Sequence, residues 1–323
     1  MRAPARTGVR GGGWHVSVAR IVLYAGLGIA QLAFVIVWWR AVRRQRLALR
    51  PTAGDVAIGC GTSFLDTLGI GNYAQITALF KLRGRPADEL IPGTLNVGNA
   101  IGIIFSALLF VEAIEVDPVL LTAMVIAAGA GAWIGAGVVS RLPRRAIQLS
   151  MGVALLVAAL FFTLTNTEVL PPGGTALGLG GWRFAVAVAA NFVLGALMCV
   201  GIGNYAPCMA LLAVLGMHPI AAYPIMIASD GMLIPVASLG FVKSGRYDNA
   251  VAVGLTIGGI AGVLLALPLV KTLGEHLTAM RWVVTAVIAY AAIAMLRSAA
   301  RDAARDAAQP DARLSDSPSG SAR

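Results

Sequence analysis

The chain has 323 residues, 58% of them hydrophobic and 12% charged, against about 25% charged in soluble globular proteins, and its mean hydropathy is +0.80. Such a composition belongs in a bilayer and excludes an ordinary soluble domain. The net charge of +10 does not point to nucleic acid, because the basic residues flank apolar runs and carry no aromatic platform with them.

Nine apolar segments approach the length needed to cross about 30 Å of hydrocarbon, at roughly 20–39, 56–82, 92–111, 118–139, 146–164, 184–215, 220–242, 249–270 and 281–296. The first lies in an N-terminal segment, 1–50. Ile21–Trp39 follows an Arg-bearing start, as a signal peptide would, but ends in Val-Trp-Trp-Arg without a small-residue cleavage pattern. It reads as a retained transmembrane helix. Segments two to five form one block, 51–165, and segments six to nine a second, 184–296. The stretch 297–323 is rich in Ala, Arg, Asp and Ser and reads as a disordered tail, helical at most at its start.

The two blocks are copies. Gly-Ile-Gly-Asn-Tyr-Ala occurs at Gly69–Ala74 and again at Gly201–Ala206, 132 positions later. The same offset places Leu65 on Leu197, Ala78 on Ala210, Leu79 on Leu211, Gly84 on Gly216, Pro92 on Pro224 and Ser106 on Ser238. Each hexapeptide splits its segment into two pieces. Glycine weakens a helix interior by about 1 kcal/mol relative to alanine, and two glycines followed by asparagine favour a real break. Val56–Leu68 and Asn72–Leu82 are each too short to span, as re-entrant halves are.

Charge tests that choice. If all nine segments cross, the 25 Lys and Arg divide 12 to 13 between the two sides. If segments two and six are hairpins, 18 gather on one side: Arg40, Arg43, Arg44, Arg46, Arg50, Lys81, Arg83, Arg85, Arg141, Arg144, Arg145, Lys243, Arg246 and the five arginines from Arg297 onward. The positive-inside rule favours the hairpins and makes that side cytoplasmic. Each block then crosses three times, an odd number, so the two are oppositely oriented. The fold expected is an all-α polytopic membrane protein of two inverted repeats, each of about four hydrophobic segments with a re-entrant break, plus one extra N-terminal helix.

Inverted repeats with broken helices at matching positions are the build of many transporters, with the site between the repeats. A break at membrane depth must be buried in protein or line a watery cavity. Each second half-helix starts near Asn72 or Asn204, where its first N–H groups lack partners and the helix dipole is positive. Two such ends form an anion site. The substrate-binding candidates are therefore Gly69, Ile70, Gly71, Asn72 and Tyr73, with Gly201, Ile202, Gly203, Asn204 and Tyr205. Asn72 and Asn204 either cap the half-helices or donate amide hydrogens, and Tyr73 and Tyr205 add hydroxyls. The glycines alternatively only allow tight helix packing. Asn96 and Asn99, one turn apart, and Ser229 complete the polar set. Asp66 and Asp230 are the two acids well inside apolar segments, and an intramembrane acid is by default a functional candidate. Either one binds a coupling proton, which would also relieve repulsion of an anion, or each hydrogen-bonds broken backbone.

These features resemble the sulfite exporter TauE/SafE family of membrane permeases. The resemblance rests on Leu68–Leu82 with Gly84 to Pro92, on Val200–Leu215 with Gly216-Met217-His218-Pro219, and on Pro224, and it covers most of residues 56–296. It implies transport of sulfite or other small organosulfur or oxyanion compounds by a multi-pass protein of the bacterial inner membrane, driven by an ion gradient. The rival class is a cation or metal-ion permease of similar build. Cys60, Cys199 and Cys208 lie in apolar stretches and form no disulfide framework. His15, His218 and His276 have no Cys or Glu at ligand spacing, so no metal site or cofactor is expected. No Ser-His-Asp or His-rich constellation marks an enzyme. The partners expected are the anion, the coupling proton and the lipid bilayer, with no nucleic acid, and nothing in the sequence bars a homodimer.

Overall fold

The computed structural model describes residues 13–47, 49–68, 70–113, 115–167, 169, 174–200, 203–266, 268 and 278–308. Among them the chain runs through α1 (Gly13–Gln45), α2 (Ala53–Thr67), α3 (Tyr73–Arg83), α4 (Ile91–Asn99), α5 (Gly102–Ala113), α6 (Pro118–Val139), α7 (Arg144–Asn166), α8 (Gly181–Met198), α9 (Tyr205–Val214), α10 (Pro219–Ser244), α11 (Asn249–Ala266) and α12 (Thr278–Ala308). A short 3-10 turn at Asp88–Leu90 leads into α4. Six of the helices are long and apolar enough to cross a membrane, and α4 with α5 forms a further candidate bent by 45°. Large apolar side chains such as Ile29, Leu32, Ile134 and Leu264 face outward, as they do where the solvent is lipid. The chain is an all-α multi-pass membrane protein.

Helices break where the sequence places glycine and asparagine. α2 stops at Thr67 and α3 starts at Tyr73, with Gly71 at a φ of 77° between them. α8 stops at Met198 and α9 starts at Tyr205. Segment 92–111 carries a further bend, between Asn99 and Gly102, at a place where the sequence names no break. Beyond Arg297 α12 continues to Ala308, as a tail helical at its start would, its Ala and Arg being good helix formers. Residues 309–323 lie outside the described ones.

Both pairs of half-helices fold back. At the start of α2, Thr52 and Asp55 form a capping box. Arg83, the last residue of α3, donates from Nη1 to Asp55 Oδ1 at 3.0 Å and from Nη2 to Thr52 Oγ1 at 3.4 Å. Arg183, near the start of α8, donates to the carbonyl of Leu215 just after α9, at 3.4 Å. The strand-like stretch around Ala176 adds hydrogen bonds from Gly174 N to Met217 O at 2.9 Å and from His218 N to Ala176 O at 2.8 Å. At 18 residues α8 is just long enough to cross alone, and α9 returns to its start.

One end of the bundle is held by polar ties between segments far apart in sequence. Asp88 accepts from Lys81 Nζ at 2.8 Å and from Gln148 Nε2 at 2.8 Å, and Lys81 also donates to Ser298 Oγ at 3.1 Å. Arg85 lies 3.9 Å from Asp248. Arg246 donates to the carbonyls of Ser140 and Leu142 at 3.1 and 2.9 Å. Residues 52–55, 81–89, 140–148, 246–248 and 298 therefore share one end.

Two helix crossings bring backbones into contact. α11 lies on α2 with no room for a Cβ at Gly258 or Gly262, which press on the carbonyls of Val56 and Cys60. α6 lies on α8 in the same way, Gly131 against the Phe192 carbonyl and Gly195 against that of Ala128. Small residues at crossings are how helices gain van der Waals contact in lipid, where no hydrophobic force drives them together.

Candidate functional site

The two breaks meet. A Cβ on Gly203 would lie 3.8 Å from Tyr73 Cβ, so the second hexapeptide touches the first at the heart of the bundle. Tyr73 is itself buried, packed in one cluster with Met198 and Cys199 from the end of α8 and its cap.

The asparagines at the breaks do not cap their own helices, since neither Asn72 nor Asn204 makes a side-chain capping bond. Each reaches across instead. Asn72 Nδ2 donates to Asn99 Oδ1 of α4 at 3.2 Å. Asn204 Nδ2 donates to Asp230 Oδ1 of α10 at 3.2 Å. The pairings correspond within one residue, because Asn204 is the 132-offset counterpart of Asn72 and Asp230 that of Gly98. Asn99 is held by its own Nδ2 on the Leu95 carbonyl at 2.8 Å. Tyr73 donates its hydroxyl to Asn96 Oδ1 at 3.2 Å, while Asn96 Nδ2 holds the Pro92 carbonyl at 2.8 Å. Gln75 donates to the carbonyl of Gly71 and so fixes the turn of the first break. The Oδ1 of Asn204, on a residue 1% exposed, has no partner among the described residues.

A small cavity of about 10 Å³ opens beside these groups. Its polar lining is Ser63 and Asp66 from α2, Asn72 from the break, Asn99, Ser106 from α5 and Asp230, and Gly98, Gly102 and Gly259 bring backbone to its wall. Free space within it is scarce, enough for about one water. Among the described lining residues there is no lysine, arginine or histidine. Two carboxylates thus share a polar pocket, at the breaks, with no counter-charge from a side chain.

Of the residues expected at the site, Asp66, Asn72, Asn99 and Asp230 line this cavity. Tyr73 and Asn96 stand behind it, bonded to each other. Gly71 shapes the first break and Gly203 is the point where the breaks touch. Ile70 is 2% exposed and packs with Leu68, Ala74 and Ile288. Ser229 turns away from the cavity, accepting from Asn191 Nδ2 at 3.0 Å, while the same amide also donates to the Met124 carbonyl at 2.8 Å. Gly69, Gly201, Ile202 and the side chain of Tyr205 lie outside the described residues. The sequence reading missed Ser63 and Ser106. Ser63 stands one turn before Asp66, and Ser106 belongs to the offset matches through Ser238; both signals were present, but serine in an apolar helix carries little weight by itself.

No protein-family model matches the chain, and no curated protein or solved structure is significantly similar to it.

Proposed function

We propose that the chain is a secondary transporter of small anions, sulfite or related organosulfur and oxyanion compounds, built of two inverted repeats and coupled to protons, in a bacterial inner membrane. The observation that carries this reading is the meeting of the two helix breaks beside a polar cavity, which Asn72 lines directly and Asn204 reaches through its hydrogen bond to Asp230. It is the arrangement in which half-helix N-termini from opposed repeats present unpaired N–H groups to an anion.

The inverted build is supported by which helices pack together. Under the 132-residue offset α2 corresponds to α8, α3 to α9, α4 with α5 to α10, α6 to α11 and α7 to α12. α2 packs on α11 and α8 on α6, while α7 packs on its own counterpart α12 and α10 on α4 and α5. Every such contact maps onto another, or onto itself, when the repeats are exchanged, as a twofold relation demands. The polar ties at the Arg-rich end join the segments that the hairpin topology puts on one face. A topology in which 56–82 crosses fully would send Arg83 to the face opposite Asp55, whereas the two lie 3.0 Å apart; one in which 184–215 crosses fully would likewise part Arg85 from Asp248, which lie 3.9 Å apart.

In this mechanism Asn72 and Asn204, clamped to opposite walls, position the breaks, and the glycines let backbone N–H groups approach the substrate. Asp230, which accepts from Asn204, carries the proton, and Asp66 is its neighbour across the cavity. An anion entering beside two carboxylates meets repulsion unless protons enter with it, and that repulsion is the coupling. The tightness of the cavity corresponds to a closed state between two openings. The substrate class follows from the resemblance to sulfite exporter permeases.

A second reading, a cation permease, is favoured by one observation: the cavity offers two carboxylates and several neutral oxygens with no basic side chain. Purified protein in proteoliposomes, given sulfite or a divalent metal ion under imposed pH gradients, separates the two. Gradient-driven sulfite flux supports the anion reading. Metal flux without sulfite flux overturns it.

A further inference from the structure

The Arg-rich end of α1 meets the end of α10 in a groove of about 510 Å³, within the range of roughly 300–1,000 Å³ typical of small-molecule pockets. Arg40, Arg44 and Lys243 provide its charge and Val37, Ala41 and Val242 its floor, with no acid in the lining. This differs from the basic residues ending the first hairpin: Lys81, Arg83 and Arg85 are matched by Asp88, Asp55 and Asp248. Arg40, Arg44 and Lys243 have no carboxylate partner among the described residues. Two exposed tryptophans flank the groove, Trp39 beneath Arg43 at 4.0 Å and Trp133 beneath Lys243 at 5.4 Å. Exposed tryptophan beside cations marks the level of lipid headgroups.

From the groove an apolar track leads along α1 toward the membrane centre. Ile29, Leu32 and Ile36 are exposed at 68%, 62% and 38%, and with Arg40 and Arg43 they fall at i, i+3, i+7, i+11 and i+14 on one helical stripe. Hydrocarbon contact thus runs directly into a cluster of unmatched cations. A free phosphate uses only the second part of this surface. A phospholipid uses both.

We propose that this groove is a binding site for one anionic phospholipid, with its phosphate among Arg40, Arg44 and Lys243 and an acyl chain along the Ile29–Ile36 stripe of α1. Basic pockets between transmembrane helices hold anionic headgroups through charge-assisted contacts. The bound lipid fills the seam between the extra N-terminal helix and α10, the helix that carries Asp230. The site is independent of what the protein transports.

The test is native mass spectrometry of the detergent-purified protein equilibrated with equal amounts of phosphatidylglycerol and phosphatidylcholine. The expected result is one phosphatidylglycerol per chain, preferred by about a hundredfold, with roughly fivefold of preference lost for each of the three cations removed. Arg40→Gln/Arg44→Gln/Lys243→Gln then falls to parity, while Arg141→Gln/Arg145→Gln, which removes two exposed arginines at the same end, keeps the preference. Where the triple variant does not survive purification, Arg40→Gln and Lys243→Gln singly must each reduce the preference severalfold. Unchanged preference in the groove variants overturns the proposal. So does equal loss in the Arg141/Arg145 variant, which would mean diffuse surface charge, or displacement of the lipid by millimolar inorganic phosphate, which would mean a simple ion site.

Discussion

Gly71 and Gly203 are sequence counterparts, yet alanine at the two positions should give opposite outcomes. Gly71 has φ of 77°, in the left-handed region where a Cβ crowds the following carbonyl at a cost of about 1–2 kcal/mol. That cost lowers the folded-to-unfolded ratio about 5–30-fold. Gly203 does not sit at positive φ, and among the described residues an added Cβ meets only Tyr73 Cβ at 3.8 Å, an ordinary contact. Gly203→Ala should therefore be neutral, or stabilising by up to about 1 kcal/mol through a less flexible unfolded chain. Thermal unfolding of the purified variants, followed by tryptophan fluorescence, reads the difference as a lowered midpoint for Gly71→Ala and an unchanged one for Gly203→Ala. Sulfite flux in proteoliposomes should fall with the first and persist with the second. Leucine at 203 is a different perturbation, since its branch enters the space where the breaks meet, and it should abolish flux while the protein stays folded. Equal destabilisation by the two alanines would refute the reasoning, because it would mean that the hexapeptide tolerates no Cβ for reasons of packing and not of backbone conformation. Normal flux in folded Gly203→Leu would remove the breaks from the permeation path.

Asp230→Asn should retain sulfite binding and lose its dependence on an imposed pH gradient; unchanged dependence in the folded variant would transfer coupling to Asp66. Gly262→Leu and Gly131→Leu should prevent proper assembly, because both positions press on backbone carbonyls of the crossing helix and overpacking costs about 1–3 kcal/mol or more; a monodisperse gel-filtration peak at wild-type yield would contradict this. Asp88→Ala removes the acceptor shared by Lys81 and Gln148 and should destabilise by roughly 1–3 kcal/mol, seen as a lower unfolding midpoint with little change in substrate affinity.

The breaks, their pairing and the membrane class were legible because glycine, asparagine and charge act locally. Gly71, at positive φ, and Asn72 mark the gap between α2 and α3, and the basic stretches 81–85, 141–145 and 243–246 flag loops that the structure ties together at one end. The direction of the asparagine side chains was not legible. An asparagine at a helix start caps it in most settings, and only the approach of α4 and α10 draws Asn72 and Asn204 to Asn99 and Asp230 instead. The bend between α4 and α5 also escaped, since Ala100 and Ile101 carry no breaker and the counterpart α10 runs on as one helix despite Pro224 and Pro235. Ser229 was misplaced because its neighbour Asp230 suggested a common face, whereas adjacent residues on a helix point about 100° apart. Serine met Asn191 on α8, and the acid met the cavity.

Departures from symmetry inside a duplicated frame locate where the two halves divide their labour. Both breaks use an asparagine amide as donor, and both send it to the helix that follows the broken pair, α4 in one case and α10 in the other. On one side the acceptor is the neutral Asn99, itself tied to its helix, and on the other it is the carboxylate of Asp230. At the position matching Asp230 the first half has Gly98, which puts backbone against Leu255 of α11 in place of a side chain. One half therefore offers a charge and the other a close-packed wall. Asp66 restores an acid to the first half, but on α2, three residues ahead of the break rather than across from it. The two carboxylates thus reach one cavity from helices that belong to opposite halves, α2 and α10. Any motion that rocks one half against the other must change their separation, and with it the cost of holding both charged at once. In the proposed mechanism that makes the pair, more than either residue alone, the element through which movement and ion occupancy are linked.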